Sequence, residues 1–203
     1  MATKSMKMSA PLNVLYNFHW IIEGDAARSA QPYVGLWKTF FVANGIKTVI
    51  NLRGAHPDLG WWRAETRACR ENAIVHFDTP LNSRKLPSRA LLTALIDAYE
   101  AAPRPFLIKC SGGQDRTSFA AALYLVQRNG WNAMDEACAQ FARFPYLHFP
   151  RQNQRWLRHF LDYAKRQADG APMSSWLREG YDRTHLAAWL EANGYAESFK
   201  GLL

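Results

Sequence analysis

Long hydrophobic runs are missing from this chain, and cysteine is scarce. No stretch approaches the roughly 20 consecutive apolar residues that a membrane-spanning helix needs, so an integral helical segment is not expected. Residues 1–8 are polar and lead into Ser9-Ala10-Pro11 without an apolar core, which argues against a secretory leader and for a cytoplasmic location. The three cysteines, Cys69, Cys110 and Cys138, are few and odd in number, as suits a reducing compartment rather than a disulfide scaffold. Internal repeats, low-complexity tracts, zinc-finger spacing, an RNA-recognition signature and a basic arm are all absent. Nucleic acid is therefore not the expected partner, although a formal net charge of +8 favours anionic ones.

What is present suits a globular chain with a substantial core: 203 residues, 48% of them hydrophobic. The apolar run at 105–108 reads as a buried strand, and residues 117–128 read as a helix closed by Asn129-Gly130. Thr48-Val49-Ile50 reads as a strand buried on both faces, and 73–77 as another. Helices are predicted over 33–44, 61–70 and 89–101, the last opened by Pro87-Ser88. Further helices are predicted from an Asn132 cap to about Phe141, and over 151–167. Asp169-Gly170-Ala171-Pro172 is the clearest linker. It divides a main domain, 11–168, from a helical extension, 169–203, expected to pack back through Trp176 and Trp189.

Between the strand at 105–108 and the helix after it lies Cys110-Ser111-Gly112-Gly113-Gln114-Asp115-Arg116-Thr117. A curled loop at a helix N-terminus aims unpartnered backbone N–H groups at an anion, assisted by the helix dipole. Gly112 and Gly113 are expected to supply the backbone angles for this, and Ser111 and Gln114 to complete the cradle. Arg116 adds a planar fork of donors for two phosphate oxygens. The same field favours the thiolate of Cys110, the nucleophilic form, and Thr117 is placed to hydrogen-bond the sulfur when it leaves. A buried, inert Cys110 is the plain alternative, disfavoured because burial alone asks for neither glycines nor an arginine.

This Cys-x5-Arg-Thr segment resembles the signature of the cysteine-dependent protein tyrosine and dual-specificity phosphatases. Arg28-Ser29-Ala30-Gln31-Pro32 and Asn51-Leu52-Arg53 are similar to segments of bacterial and fungal members, and the likeness covers about residues 17–165. The resemblance implies an α/β fold with a central, largely parallel sheet of four to five strands flanked by helices. It also implies phosphate monoester hydrolysis through a cysteinyl phosphate, with no metal or cofactor. A phosphorylated protein is the first substrate expected, and an inositol phosphate or phosphoinositide headgroup the close rival. The neutral Gln114, where some phosphoinositide phosphatases have lysine, weighs against a multiply phosphorylated headgroup. One departure is Lys109, where many relatives have histidine; its ammonium either lowers the thiol pKa or points to solvent. A rhodanese-like sulfur transferase and a silent phosphate-binding module are the readings from other classes.

The leaving oxygen needs a proton, and two carboxyls compete to give it. Asp78 ends the strand at 73–77, at a separation from the nucleophile similar to that in many dual-specificity phosphatases, and a polar, basic, proline-punctuated segment follows it. Asp115 lies inside the loop, as in some phosphoinositide phosphatases. Asp78 is preferred, because an acid on a mobile loop is the commoner arrangement. Arg53 is expected either at the mouth of the pocket or in a surface salt bridge. Arg84, Lys85 and Arg143 are expected at the surface, as is a basic stripe of Arg151, Arg155 and Arg158 on one helix face. His76 is read as a packed or gating histidine, and Cys69 and Cys138 as packed thiols, with a reversible disulfide to oxidised Cys110 as the alternative.

Overall fold

The computed structural model describes residues 11–33 and 36–203. Its contacts gather into two units: residues up to Pro80 together with Ala101–Thr117, and Leu81–Glu100 together with Ser118–Leu203.

The first unit holds the sheet. Strands β1 (His19–Ile22), β2 (Ala26–Ser29), β3 (Thr48–Asn51), β4 (Val75–Asp78) and β5 (Phe106–Lys109) lie in the order β1-β2-β5-β3-β4. Only the β1–β2 pair is antiparallel. Helices α1 (Trp37–Ala43) and α2 (Gly60–Glu71) cover one face of it. The predicted α/β class is thus observed. The β1–β2 ribbon was not foreseen as strand, because Arg28 and Ser29 interrupt the apolar alternation by which a strand is recognised.

Register explains what lies along the edge of this sheet. Ala27, Leu107 and Val49 are neighbours across β2, β5 and β3, and they pack with Phe40, Phe41, Ala68 and Cys69 of the two helices. Two residues further along each strand, on the same face, stand Ser29, Lys109, Asn51 and Asp78. This face is apolar in the middle and polar at the C-terminal ends of the parallel strands, where sites gather in open α/β sheets. On α2, Glu65 lies three and four residues before Ala68 and Cys69, so it sits on the buried face, one turn nearer the N-terminal end.

Helix α4 (Asp115–Asn129) has its first three residues in the first unit and the rest in the second. It begins two residues earlier than predicted, which takes Asp115 and Arg116 into its first turn.

In the second unit, but for its last residue, α3 (Arg89–Ala101) has the predicted bounds, and Ser88 Oγ accepts from the Leu91 N–H at 3.4 Å as its cap. Residues 117–126 are buried on every side of α4, and Tyr99 of α3 donates to the Ala120 carbonyl at 2.8 Å. Beyond α4 come α5 (Met134–Ala139), α6 (Trp156–Ala168), α7 (Met173–Glu179) and α8 (Arg183–Ala192). Phe119, Trp156, Phe160, Tyr163, Trp176 and Tyr181 form a chain of edge-to-face and tilted aromatic contacts. Trp176 and Trp189 pack against Tyr163 of α6.

Two boundaries differ from expectation. Asn132 lies inside a short 3-10 turn, and α5 starts only at Met134. Residues 152–154 form another 3-10 turn, in which the Gln154 side chain accepts from the Arg151 N–H at 2.9 Å and Asn153 leaves helical geometry. Arg151, Arg155 and Arg158 therefore do not share one helix face: Arg151 and Arg155 precede α6, while Arg158 pairs with Asp162 at 3.7 Å. Among the described residues no helix is long and apolar enough to cross a membrane.

Candidate active site

Strand β5 delivers Cys110 to the base of the loop, where the thiol is buried. Burial alone pushes its pKa up, but the Arg116 guanidinium, the Thr117 hydroxyl and the backbone N–H groups of Gln114 and Thr117 more than offset this, leaving it below the ordinary thiol value. The Thr117 hydroxyl is buried with the thiol and is one of the groups that lower its pKa. Cys69, by contrast, is pushed up to about 12 by burial in the apolar core. The two thiols are therefore shifted in opposite directions, Cys110 toward the thiolate and Cys69 away from it. All three cysteines are free, and Cys138 is also raised by burial.

Two braces hold the loop. Gly113 has φ +64, and a Cβ there would lie 2.5 Å from the Ala30 nitrogen and 2.6 Å from the Ser29 carbonyl carbon, so only glycine fits against β2. Its carbonyl accepts from Arg28 at 3.0 Å and from Asn17 at 3.3 Å, both buried. Gly112 needs no such freedom: its φ is ordinary, and the nearest atom to a Cβ would be 3.6 Å away, in the Gln114 side chain. The paired-glycine expectation thus holds for Gly113 only. Arg116 is braced in turn, donating to Ser111 Oγ at 3.1 Å and to the Leu52 carbonyl at 3.4 Å.

Lys109 does not point to solvent. Its side chain is fully buried, with Nζ 2.6 Å from Glu65 Oε1 and 2.8 Å from Gln31 Oε1. Burial pulls the ammonium down to about 8, against the opposing pull of Glu65. The Glu65 carboxyl stays below its ordinary value, because Lys109 and His76 together outweigh its own desolvation. His76 is packed as expected, with Nε2 2.8 Å from Glu65 Oε1 and Nδ1 3.8 Å from Asp78.

Asp78 closes this row of polar groups at the end of β4. It accepts from Asn51 Nδ2 at 2.6 Å and from the Trp62 indole N–H at 3.1 and 3.2 Å. It is the last residue of a strand, not part of the loop that follows. Asp115 occupies the first turn of α4, directly before Arg116. Arg53 does not enter a salt bridge among the described residues: its guanidinium lies 3.5 Å above the Trp61 ring and donates to Gln31 at 3.0 Å. Desolvation depresses its pKa, and its bond to Gln31, whose backbone N–H donates to the Ser111 carbonyl at 3.1 Å, ties it to the loop.

Sequence reasoning missed Glu65, Trp61 and Trp62 as site residues, and saw Asn17, Arg28 and Gln31 only within a resemblance. Glu65 had a legible signal: a carboxylate on the apolar side of an amphipathic helix, with Ala68 and Cys69, requires a buried cation. The others act through tertiary approach that local sequence does not encode.

No family model and no curated protein sequence matches the chain. Solved structures do. TpbA from P. aeruginosa is 18% identical, with 87% of this chain and 92% of that one covered at a TM-score of 0.52. The core catalytic domain of the PP-IP phosphatase SIW14 from S. cerevisiae is 18% identical, with 88% and 93% covered at 0.54. PTPMT1 is 15% identical, with 75% and 98% covered at 0.56. The chain has the fold of these proteins.

Proposed function

We propose that this chain hydrolyses phosphate monoesters through a phosphocysteine at Cys110. One observation carries the reading: a buried thiol lies beneath a helix-start loop with its pKa pulled below the ordinary value by Arg116 and loop amides, although burial alone would raise it. Nothing in packing requires a thiolate at that point. The phosphatase named among the similar structures and the Cys-x5-Arg-Thr segment support the same reading.

In the first step Cys110 Sγ bonds to phosphorus as the ester P–O bond breaks, and the leaving oxygen takes a proton from an acid. Arg116 and the N–H groups of the loop, with Ser111, Gly112, Gly113 and Gln114, hold the equatorial oxygens as charge redistributes. In the second step water attacks phosphorus and gives a proton back to that carboxylate, the P–S bond breaks, and inorganic phosphate departs. The thiolate leaves, stabilised by Thr117.

Asp78 is the proposed acid, standing at the same sheet edge as Lys109 and the nucleophile. Asp115 is the second reading. It is favoured because both Asp78 oxygens already accept hydrogen bonds, from Asn51 and from the Trp62 indole.

A phosphorylated protein is the first proposed substrate and an inositol phosphate or phosphoinositide the second. TpbA has been solved with pTyr and PTPMT1 with PI(5)P, so the fold accommodates both classes elsewhere. A reducing cytoplasmic setting suits a free thiolate. The test is p-nitrophenyl phosphate hydrolysis, with thiosulfate as the control for sulfur transfer, followed by a panel of phosphopeptides, phosphoinositides and inositol phosphates. Loss of hydrolysis in Cys110→Ser is expected. Unchanged turnover in that variant, or turnover of thiosulfate instead, overturns the proposal.

A further inference from the structure

We propose that Gln31 is a positioning residue that aims Arg53 as a second guanidinium at the anion site, beside Arg116. This rests on the phosphatase reading above and adds a specificity element to the same site.

The argument begins with the carboxamide of Gln31, which is buried. Its Oε1 accepts from Lys109 Nζ at 2.8 Å and from Arg53 at 3.0 Å, while its Nε2 donates to Glu65 Oε2 at 2.7 Å. Only one orientation of the amide satisfies these neighbours, since reversing it would set donors against two cations and an acceptor against a carboxylate. Its backbone N–H donates to the Ser111 carbonyl at 3.1 Å. One residue therefore binds the anion loop with its main chain and a cation of the site with its side chain.

Charge explains why a neutral residue stands here. The buried Glu65 carboxylate and Lys109 ammonium, 2.6 Å apart, neutralise one another. Gln31 bridges to that pair without adding charge. Arg53 thus keeps its positive charge uncompensated: among the described residues it has no ion-pair partner, and its remaining support is the Trp61 ring, 3.5 Å beneath it. A guanidinium has five donors, and this one spends one on Gln31. Gln31 is itself tied to Ser111 of the anion loop through its backbone N–H, so the remaining donors of this guanidinium are held next to the loop and are available to a tetrahedral oxyanion or to a second anionic group beside it.

The test is a double-mutant cycle read in two ways: the Kd of tungstate by calorimetry, and kcat and KM for p-nitrophenyl phosphate. Arg53→Ala is expected to weaken tungstate and raise KM by roughly tenfold or more, as for a lost charge-assisted hydrogen bond, with a smaller change in kcat. Gln31→Met keeps the volume and removes the bonds, so it should reproduce that shift. The double variant should then be no weaker than Arg53→Ala alone. Effects that multiply, or a Gln31→Met protein with the wild-type Kd and KM, overturn the proposal. Should Gln31→Met fail to fold, Trp61→Ala removes the other support of Arg53 and must show the same non-additivity. If the wild type binds tungstate but hydrolyses nothing, the phosphatase reading fails, while the tungstate cycle still decides whether Gln31 acts through Arg53.

Discussion

The proposed chemistry comes down to a difference between two cysteines in one unit. Cys69 is a packing residue whose thiol is pushed up to about 12, whereas burial of Cys110 is outweighed by a guanidinium and loop donors. Because the Cys110 pKa is depressed, its thiolate persists to lower pH than that of an ordinary thiol. The rate of alkylation by iodoacetamide should therefore show a midpoint below that of a free cysteine, and Arg116→Ala should move it upward. An unchanged midpoint in Arg116→Ala would remove the electrostatic account of the site. The two glycines make a second contrast. Gly113→Ala forces a Cβ to 2.5 Å from backbone in a left-handed conformation, and should abolish activity or folding. Gly112→Ala meets only ordinary contacts and should retain the fold and tungstate binding. The sequence shows two equivalent glycines; only the approach of β2 tells them apart.

At the scale of elements, the register of β2, β5, β3 and β4 brings one polar residue from each to a common edge, and α2 lays Glu65 across it. Strands β3, β4 and β5 and most helices were legible in the sequence because their periodicity records burial, whereas β1 and β2 were not. The Lys109–Glu65 pair was not, because it joins the end of a strand to the buried face of a helix remote in sequence. Such a pair adds little net stability over apolar residues of the same volume, yet removing one member leaves an unpaired buried charge. Glu65→Ala should cost about 3–5 kcal/mol in denaturant unfolding. Arg178, whose bonds to Asp97 and Glu100 are exposed, makes a fair comparison: Arg178→Ala should cost less than about 1 kcal/mol. A Glu65→Ala loss as small as that of Arg178→Ala would show that Lys109 finds water or another partner.

Over the whole molecule, the contacts group the C-terminal helices with Leu81–Glu100 and most of α4. The linker at 169–172 is a turn within that unit, marked by Asp169 and Gly170 at positive φ. The chain end is built into it: Leu86 donates to the Gly201 carbonyl at 2.8 Å and accepts from the Leu203 N–H at 2.9 Å. Truncation after Phe199 should therefore lower the thermal midpoint, where a free tail would leave it unchanged. Composition foretold helices at 169–203, while their partners depend on aromatic contacts with α6 that no local pattern records. The +8 charge and the anion loop agree in sign, and the substrate class is what neither determines.

The central claim is a covalent bond between Cys110 and phosphorus. Acid quenching of the enzyme during turnover of p-nitrophenyl phosphate, followed by peptide mass spectrometry, reads it directly. The account predicts one phosphoryl group on the peptide containing Cys110 in the wild type and none on that peptide in Cys110→Ser. Steady turnover with the Cys110 peptide always unmodified, or with the phosphoryl group on another residue, would contradict it.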